Sequence, residues 1–257
     1  MFIHNINPVL LKIGFLEIRY YSLVYILGFL LVYFILYKTA DKKKIKNLTK
    51  EAVDDFITYL IIGLIVGARI FHFIFYNPQI IWTKPLEILM VWHGGMSFHG
   101  GLIGIIIAYL IFHKKHKVAF YDLADLLVIP AAFTLFLGRI ANFINGELWG
   151  TITTVFWCVK FKRADGCRHP SQLYEAAKNL IIFGVLCFMK ENQAQKKKQK
   201  KGILFWTFVL LYGVLRFIVN FWRDDPRFFG ISTGQILSFV MIVVALVFLY
   251  KLKKTNH

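Results

Sequence analysis

The chain is 257 residues long and 58% hydrophobic, with 26 Phe, 12 Tyr and a mean hydropathy of +0.59, too apolar for an ordinary soluble domain. Its formal net charge of +17 would suggest nucleic acid in a soluble chain, but the lysines crowd into "KTADKKKIKNLTK", "HKKHK", "KENQAQKKKQKK" and "KLKKTNH", each directly after an apolar run. Such clusters anchor membrane proteins on anionic lipid, so membrane lipids are expected partners and nucleic acid is not.

The N-terminal "MFIHNINPVLLKIG" lacks the basic start, apolar stretch and small-residue cleavage site of a secretory leader, so no removable signal peptide is expected. Apolar runs then predict seven membrane-spanning helices at about 20–37, 56–76, 94–112, 120–141, 171–189, 202–222 and 231–250. The runs are continuous rather than alternating, which argues against a membrane barrel. Asp125 and Pro130 interrupt the fourth run, which reads as a kinked helix. With the segment after the first span on the cytoplasmic side, that side holds 18 of the Lys and Arg and the opposite side nine. Arg69, Arg139, Lys178 and Arg216 lie within spans. The bias puts the N-terminus outside and the C-terminus in the cytoplasm. The expected architecture is an all-α integral membrane protein, a single seven-helix domain over 1–257. A small extracytoplasmic loop is expected at 151–168, a solvated cytoplasmic linker at 190–201, and no internal repeat is evident.

Three cysteines, Cys158, Cys167 and Cys187, form no C-x-x-C pair and have no clustered histidines. Either Cys158 and Cys167 form a disulfide in an extracytoplasmic loop, or both are free thiols.

The predicted orientation brings costly residues to one depth. Arg139 and Asn142 fall at the outer end of the fourth span, Arg216 and Asn220 in the outer half of the sixth, and Arg69 and His72 in that of the second. Tyr21, His99, Gln172, Tyr174, Glu175 and Gln235 fall near the outer ends of the inward-running spans. Polar groups beside hydrocarbon are expensive unless paired or used. Any one arginine here is explained by snorkelling or by an ion pair with Glu147 or Glu175. Arg139 and Arg216 together, each with an amide nearby, point instead to a phosphate site, because guanidinium forks match phosphate oxygens two at a time.

Two further stretches stand out. In "WHGGMSFHGGLIG", residues 92–104, Gly94, Gly95, Gly100, Gly101 and Gly104 let a neighbouring helix or a lipid chain approach closely. Helix packing explains the glycines but not His99, which is a base, a donor to phosphate, or an interfacial residue. In "HPSQLYE", residues 169–175, Pro170 and Ser171 mark a helix start. The Glu175 charge suits a helix N-terminus, and a capping role is the preferred reading. His169, Gln172 and Tyr174 are candidates for the polar patch.

Together with "RYY" at 19–21, "GRIANFINGELWG" at 138–150, "YGVLRFIVNFWRDDP" at 212–226 and "STGQILS" at 232–238, these stretches resemble the bacterial phosphatidylglycerol–prolipoprotein diacylglyceryl transferase family. The resemblance runs over nearly the whole chain in one order. It implies seven spans with the N-terminus outside, a bacterial inner-membrane location, and an active site near the extracytoplasmic leaflet. It implies transfer of a diacylglyceryl group from phosphatidylglycerol to the lipobox cysteine of a prolipoprotein signal peptide, releasing glycerol phosphate, with no metal or other cofactor. The family's important residues fall on Tyr21, His99, Arg139, Asn142, Glu147, Gly150 and Arg216. Gly100 and Gly101 are added as lipid-contacting candidates. Two departures stand out: Asn220 replaces a glutamate common in the family, where its amide is expected to orient Arg216 by hydrogen bonding instead, and the loop at 151–168 is short.

On this reading Arg139 and Arg216 hold the departing phosphate, with Asn142 and Tyr21 positioning it. His99 takes the thiol proton or positions the headgroup. Glu147 orients Arg139 or binds the glycerol hydroxyls, and Gly150 permits a turn or close lipid approach. A transporter for an anionic solute fits less well without a repeat or midplane site. A lipid-binding scaffold explains the arginines but not His99, Asn142 and Glu147 together. An intramembrane protease lacks its dyad, paired aspartates or H-E-x-x-H.

Overall fold

A computed structural model describes residues 2–14, 16–91, 94–195 and 200–254 of the chain, which divides into two compact units. The first comprises Met1–Leu31 and Tyr121–His257, the second Val32–Phe120. Trp92 and His93 of the glycine-rich stretch, and part of the lysine-rich linker, lie outside the described residues.

Among the described residues six helices are long and apolar enough to cross a membrane: Tyr20–Asp41, Lys50–Tyr76, Phe120–Asn145, Ser171–Ala194, Ile203–Trp222 and Thr233–Lys254. The protein is thus a multi-pass, mainly helical membrane protein. The third expected span is the exception: a helix does form there, at Phe98–His116, but its last turn is His113, Lys114, Lys115 and His116, which dilutes its hydropathy.

The first unit is built on α1 (Tyr20–Asp41, shared with the second unit), α5 (Phe120–Asn145, starting at the boundary), α6 (Ser171–Gln195), α7 (Ile203–Val219, continued by a 3₁₀ turn at Asn220–Trp222) and α8 (Thr233–Lys254). Val128 and Ala132 of α5, Ile182 and Leu186 of α6 and Leu204 of α7 form a buried core, ringed by Phe183 and Phe208. Trp206 and Phe248 stack face to face at 4.2 Å between α7 and α8. Pro130 lies buried inside α5, and the helix continues across it. Asp125 is explained as well. Its carboxylate accepts the backbone N–H groups of Gly202 (2.5 Å) and Phe205 (2.8 Å), capping α7, where a helix N-terminus favours negative charge.

Short strands, absent from the sequence expectation, tie down the segments outside the helices. β1 (Phe2–His4) pairs in parallel with β4 (Val159–Phe161), β2 (Val9–Ile13) with β3 (Leu16–Arg19) antiparallel, and β5 (Arg227–Phe228) with β6 (Ile231–Ser232). The loop at 151–168 carries a Cys158–Cys167 disulfide, so of the two cysteine alternatives it is pairing, not two free thiols, that holds. Cys187 is free.

In the second unit α2 (Lys50–Tyr76) packs on α4 (Phe98–His116), with α3 (Pro78–Thr83) and a 3₁₀ turn at Pro85–Leu89 between them in sequence. Gly63 and Gly67 of α2 face Gly100 and Gly104 of α4, a small residue every fourth position on both helices. A Cβ on Gly63 would stand 2.5 Å from the Gly104 carbonyl oxygen, and one on Gly67 would stand 2.8 Å from the Gly104 Cα. Thr49 caps α2 by accepting the Ala52 N–H at 3.2 Å, and Ser97 caps α4 by accepting that of Gly100 at 3.4 Å.

Candidate active site

Charged groups from three helices of the first unit converge on one carboxylate. Glu175, in the second turn of α6, has a fully buried side chain. One of its oxygens pairs with Arg216 of α7. The other accepts Lys178 Nζ at 2.8 Å and stands 3.7 Å from Arg139 Nε of α5. Lys178, whose side chain is 1% exposed, also sits 3.8 Å from the centre of the Tyr212 ring.

Arg216 reaches Asp225 at 3.8 Å, but Asp225 belongs mainly to Arg223, which grips it in a fork at 2.8 and 2.9 Å. Burial works to raise the Asp225 carboxyl; the Arg223 hydrogen bonds and the charges of Arg223 and Arg216 outweigh it and hold it below the usual carboxylate range. Four cations (Arg139, Lys178, Arg216 and Arg223) thus face two carboxylates, Glu175 and Asp225. Surplus positive charge with little access to water suits an anion.

A second arm leads from Arg139. Its Nη1 donates to Asn142 Oδ1 at 3.4 Å, Asn142 Nδ2 donates to Glu147 Oε1 at 2.7 Å, and Asn145 Nδ2 reaches the same oxygen at 3.2 Å. The chain can turn back so sharply because α5 ends at Asn145 and Gly146 takes a left-handed φ of 64°. Gln172 Nε2 donates to the Glu147 carbonyl at 2.6 Å and Ser171 Oγ to that of Leu148 at 2.8 Å, pinning this turn to the start of α6. Arg139 remains the least satisfied of the cations: its two contacts are long, and a guanidinium has five N–H donors.

Tyr21 accepts a hydrogen bond from Tyr25 at 3.2 Å, one turn further along α1. Gly150 is buried, donates its N–H to the His169 carbonyl at 2.9 Å, and has no room for a Cβ between His169 and the Trp222 carbonyl. It serves close backbone approach. Gly100 and Gly101 are likewise buried against α2, Gly100 on Gly67 and Phe71 and Gly101 on Leu64 and Ala68. His99 belongs to the second unit, where it is exposed in the first turn of α4 beside the Phe98 ring. Tyr174 accepts from Trp157 at 2.6 Å and stands 3.0 Å from His169 Nδ1, whose ring burial pushes below the ordinary imidazole pKa.

Three sequence expectations need correction. Arg69 does not serve the polar patch. Its guanidinium is wrapped by the carbonyls of Glu87 (2.5 Å), Ile88 (3.0 Å), Met90 (2.7 Å), Gly94 and Gly95 (3.1 Å), so it holds the segment before α4 in place. Asn220 does not orient Arg216 through its side chain. Its Nδ2 donates to Ser232 Oγ at 2.7 Å, and the acids near Arg216 are Glu175 and Asp225. Glu175 is the hub of the cluster rather than a helix cap, and Lys178 joins it unassigned. The signal for both was present: a Glu–Lys pair three residues apart inside an apolar run can share one face of a helix.

Comparison with known proteins adds an independent finding. A family model described as prolipoprotein diacylglyceryl transferase matches residues 8–251. The chain is 42% identical over 248 residues to the phosphatidylglycerol–prolipoprotein diacylglyceryl transferase of Geobacter sulfurreducens, covering 94% of each chain. It is 41% identical over 251 residues to the protein of that name from Rickettsia canadensis, covering 95% of this chain and 96% of that one. It is 40% identical over 264 aligned positions to the one from Ehrlichia ruminantium strain Gardel, covering 98% and 99%. The chain therefore belongs to the prolipoprotein diacylglyceryl transferase family.

Proposed function

We propose that this chain transfers the diacylglyceryl group of phosphatidylglycerol to the thiol of the lipobox cysteine of a prolipoprotein signal peptide. Sulfur bonds to the glycerol carbon that carries the phosphate ester, and that carbon–oxygen bond breaks. The oxygen leaves with the electron pair as glycerol phosphate, and the thiol proton passes to a base. The observation that carries this reading is Arg139, poised with unused donors in a cationic cluster of net positive charge. Arg139 and Arg216 bind the phosphate and stabilise the charge that grows on it as the bond breaks. Asn142 and Glu147 orient Arg139, with Asn145 and Glu147 in reach of the headgroup hydroxyls, and Tyr21 completes the polar wall. On its chemistry and exposure, His99 is the base.

The reading extends to placement. The chain crosses the bacterial inner membrane seven times, with α4 as the third span, an outside N-terminus, a cytoplasmic C-terminus and the site near the outer leaflet. The Lys and Arg bias supports this orientation, as does the Cys158–Cys167 disulfide, since disulfides persist in oxidising compartments.

Release of glycerol phosphate by the detergent-purified protein, given phosphatidylglycerol and a lipobox peptide, tests the reaction. Release is expected only with the cysteine present, and release at equal rate without peptide would point to lipid hydrolysis instead. In the same assay His99→Gln is expected to slow release far more than it weakens retention of phosphatidylglycerol. Equal losses in both would remove the base assignment.

A further inference from the structure

Glu175 has one carboxylate and three cations around it, so how its charge is divided decides which cation is left for a ligand. Oε1 is committed to Arg216. Oε2 has two claimants, Lys178 at 2.8 Å and Arg139 at 3.7 Å, and Lys178 holds the closer position. Lys178 cannot easily withdraw: its side chain is 1% exposed, its carboxylate partner is fully buried, and its ammonium rests on the Tyr212 ring at 3.8 Å. A buried lysine in a membrane-spanning helix is costly unless paired, so the pairing is strongly enforced.

We infer that Lys178 is a positioning residue for the anionic lipid: by occupying Glu175 Oε2 it keeps that carboxylate from neutralising Arg139, leaving the Arg139 fork open to the phosphate. The inference rests on the function proposed above and adds a residue to it. Lys178 itself does not touch the lipid; it acts through Glu175. Without it, Oε2 turns to Arg139, the two groups close from 3.7 Å to a full ion pair, and the phosphate must compete with an internal carboxylate.

The test is Lys178→Met, which keeps an unbranched apolar stem against Tyr212 and removes the charge. In the purified protein the KM for phosphatidylglycerol is expected to rise roughly tenfold while kcat stays within about twofold, the mark of lost binding rather than lost chemistry. Lys178→Arg, which restores a cation to Glu175, is expected to recover at least part of the affinity. In a Glu175→Gln background there is no carboxylate charge to divide, so Lys178→Met is expected to leave the affinity for phosphatidylglycerol, read by native mass spectrometry, unchanged within about twofold. An unchanged KM in Lys178→Met, or the same loss of affinity in both backgrounds, would overturn the inference and leave Lys178 a packing residue. Lipid retention and peptide modification are separate signals in the same samples, so failure of the transfer reaction and failure of the Lys178 assignment register independently.

Discussion

Arg139→Ala is expected to lower diacylglyceryl transfer by roughly 10²–10³-fold while the protein stays folded in the membrane. Two halves of that expectation come from different observations. The loss of activity follows from the charge Arg139 brings to a leaving phosphate in a partly dehydrated site, where each well-aimed donor counts for more than in water. The retained fold follows from how little Arg139 does internally: 3.4 Å to Asn142 and 3.7 Å to Glu175 are long contacts whose loss costs little. Arg139→Lys is expected to remain strongly impaired, because a single ammonium cannot replace the planar fork. The checks are turnover with a lipobox peptide and the thermal midpoint in detergent. Near-normal turnover by Arg139→Ala would remove the phosphate assignment.

Glu175→Leu is expected to act the other way, chiefly on stability. The substitution leaves Arg139, Lys178 and Arg216 without their shared acid, and Lys178 has almost no route to water. Breaking a buried pair from one side costs roughly 3–5 kcal/mol, so the thermal midpoint should fall by several degrees or more. Adding Lys178→Met to Glu175→Leu is expected to recover part of that loss by removing the most deeply stranded charge. A midpoint for Glu175→Leu within a degree of the parent would contradict the hub role, as would a double variant no more stable than the single one.

The helices were legible in the sequence because long apolar runs announce themselves: all seven expected segments carry a helix, six of them long and apolar enough to cross a membrane, and α6 starts at the Ser171 marked by Pro170. Boundaries shifted outward where polar ends continue the helix, as at Lys50 in α2 and Asn145 in α5. The arginine motif was legible for the same reason that it is costly. Partner choice was less so. Arg139 and Arg216 looked alike in sequence, yet Arg216 is directly paired while Arg139 is nearly free. Arg69, a third arginine at similar predicted depth, is consumed by five backbone carbonyls of a segment whose path no periodicity reports. Asn220 invited comparison with a missing glutamate, and only the fold reveals that Glu175 and Asp225 supply the negative charge near Arg216. The glycines of α4 read equally well as lipid contacts or helix contacts, because the matching glycines of α2 that they pack on lie some forty residues away in sequence.

The most direct measurement of the central claim is the intact mass of a synthetic lipobox peptide after incubation with the detergent-purified protein and phosphatidylglycerol of defined acyl chains. The account predicts a mass increase equal to one diacylglyceryl group, carried on the cysteine, abolished by a Cys→Ser peptide and by Arg139→Ala. An unmodified peptide from a folded, phosphatidylglycerol-bound protein would contradict it and recast the cationic cluster as a lipid-binding site without chemistry.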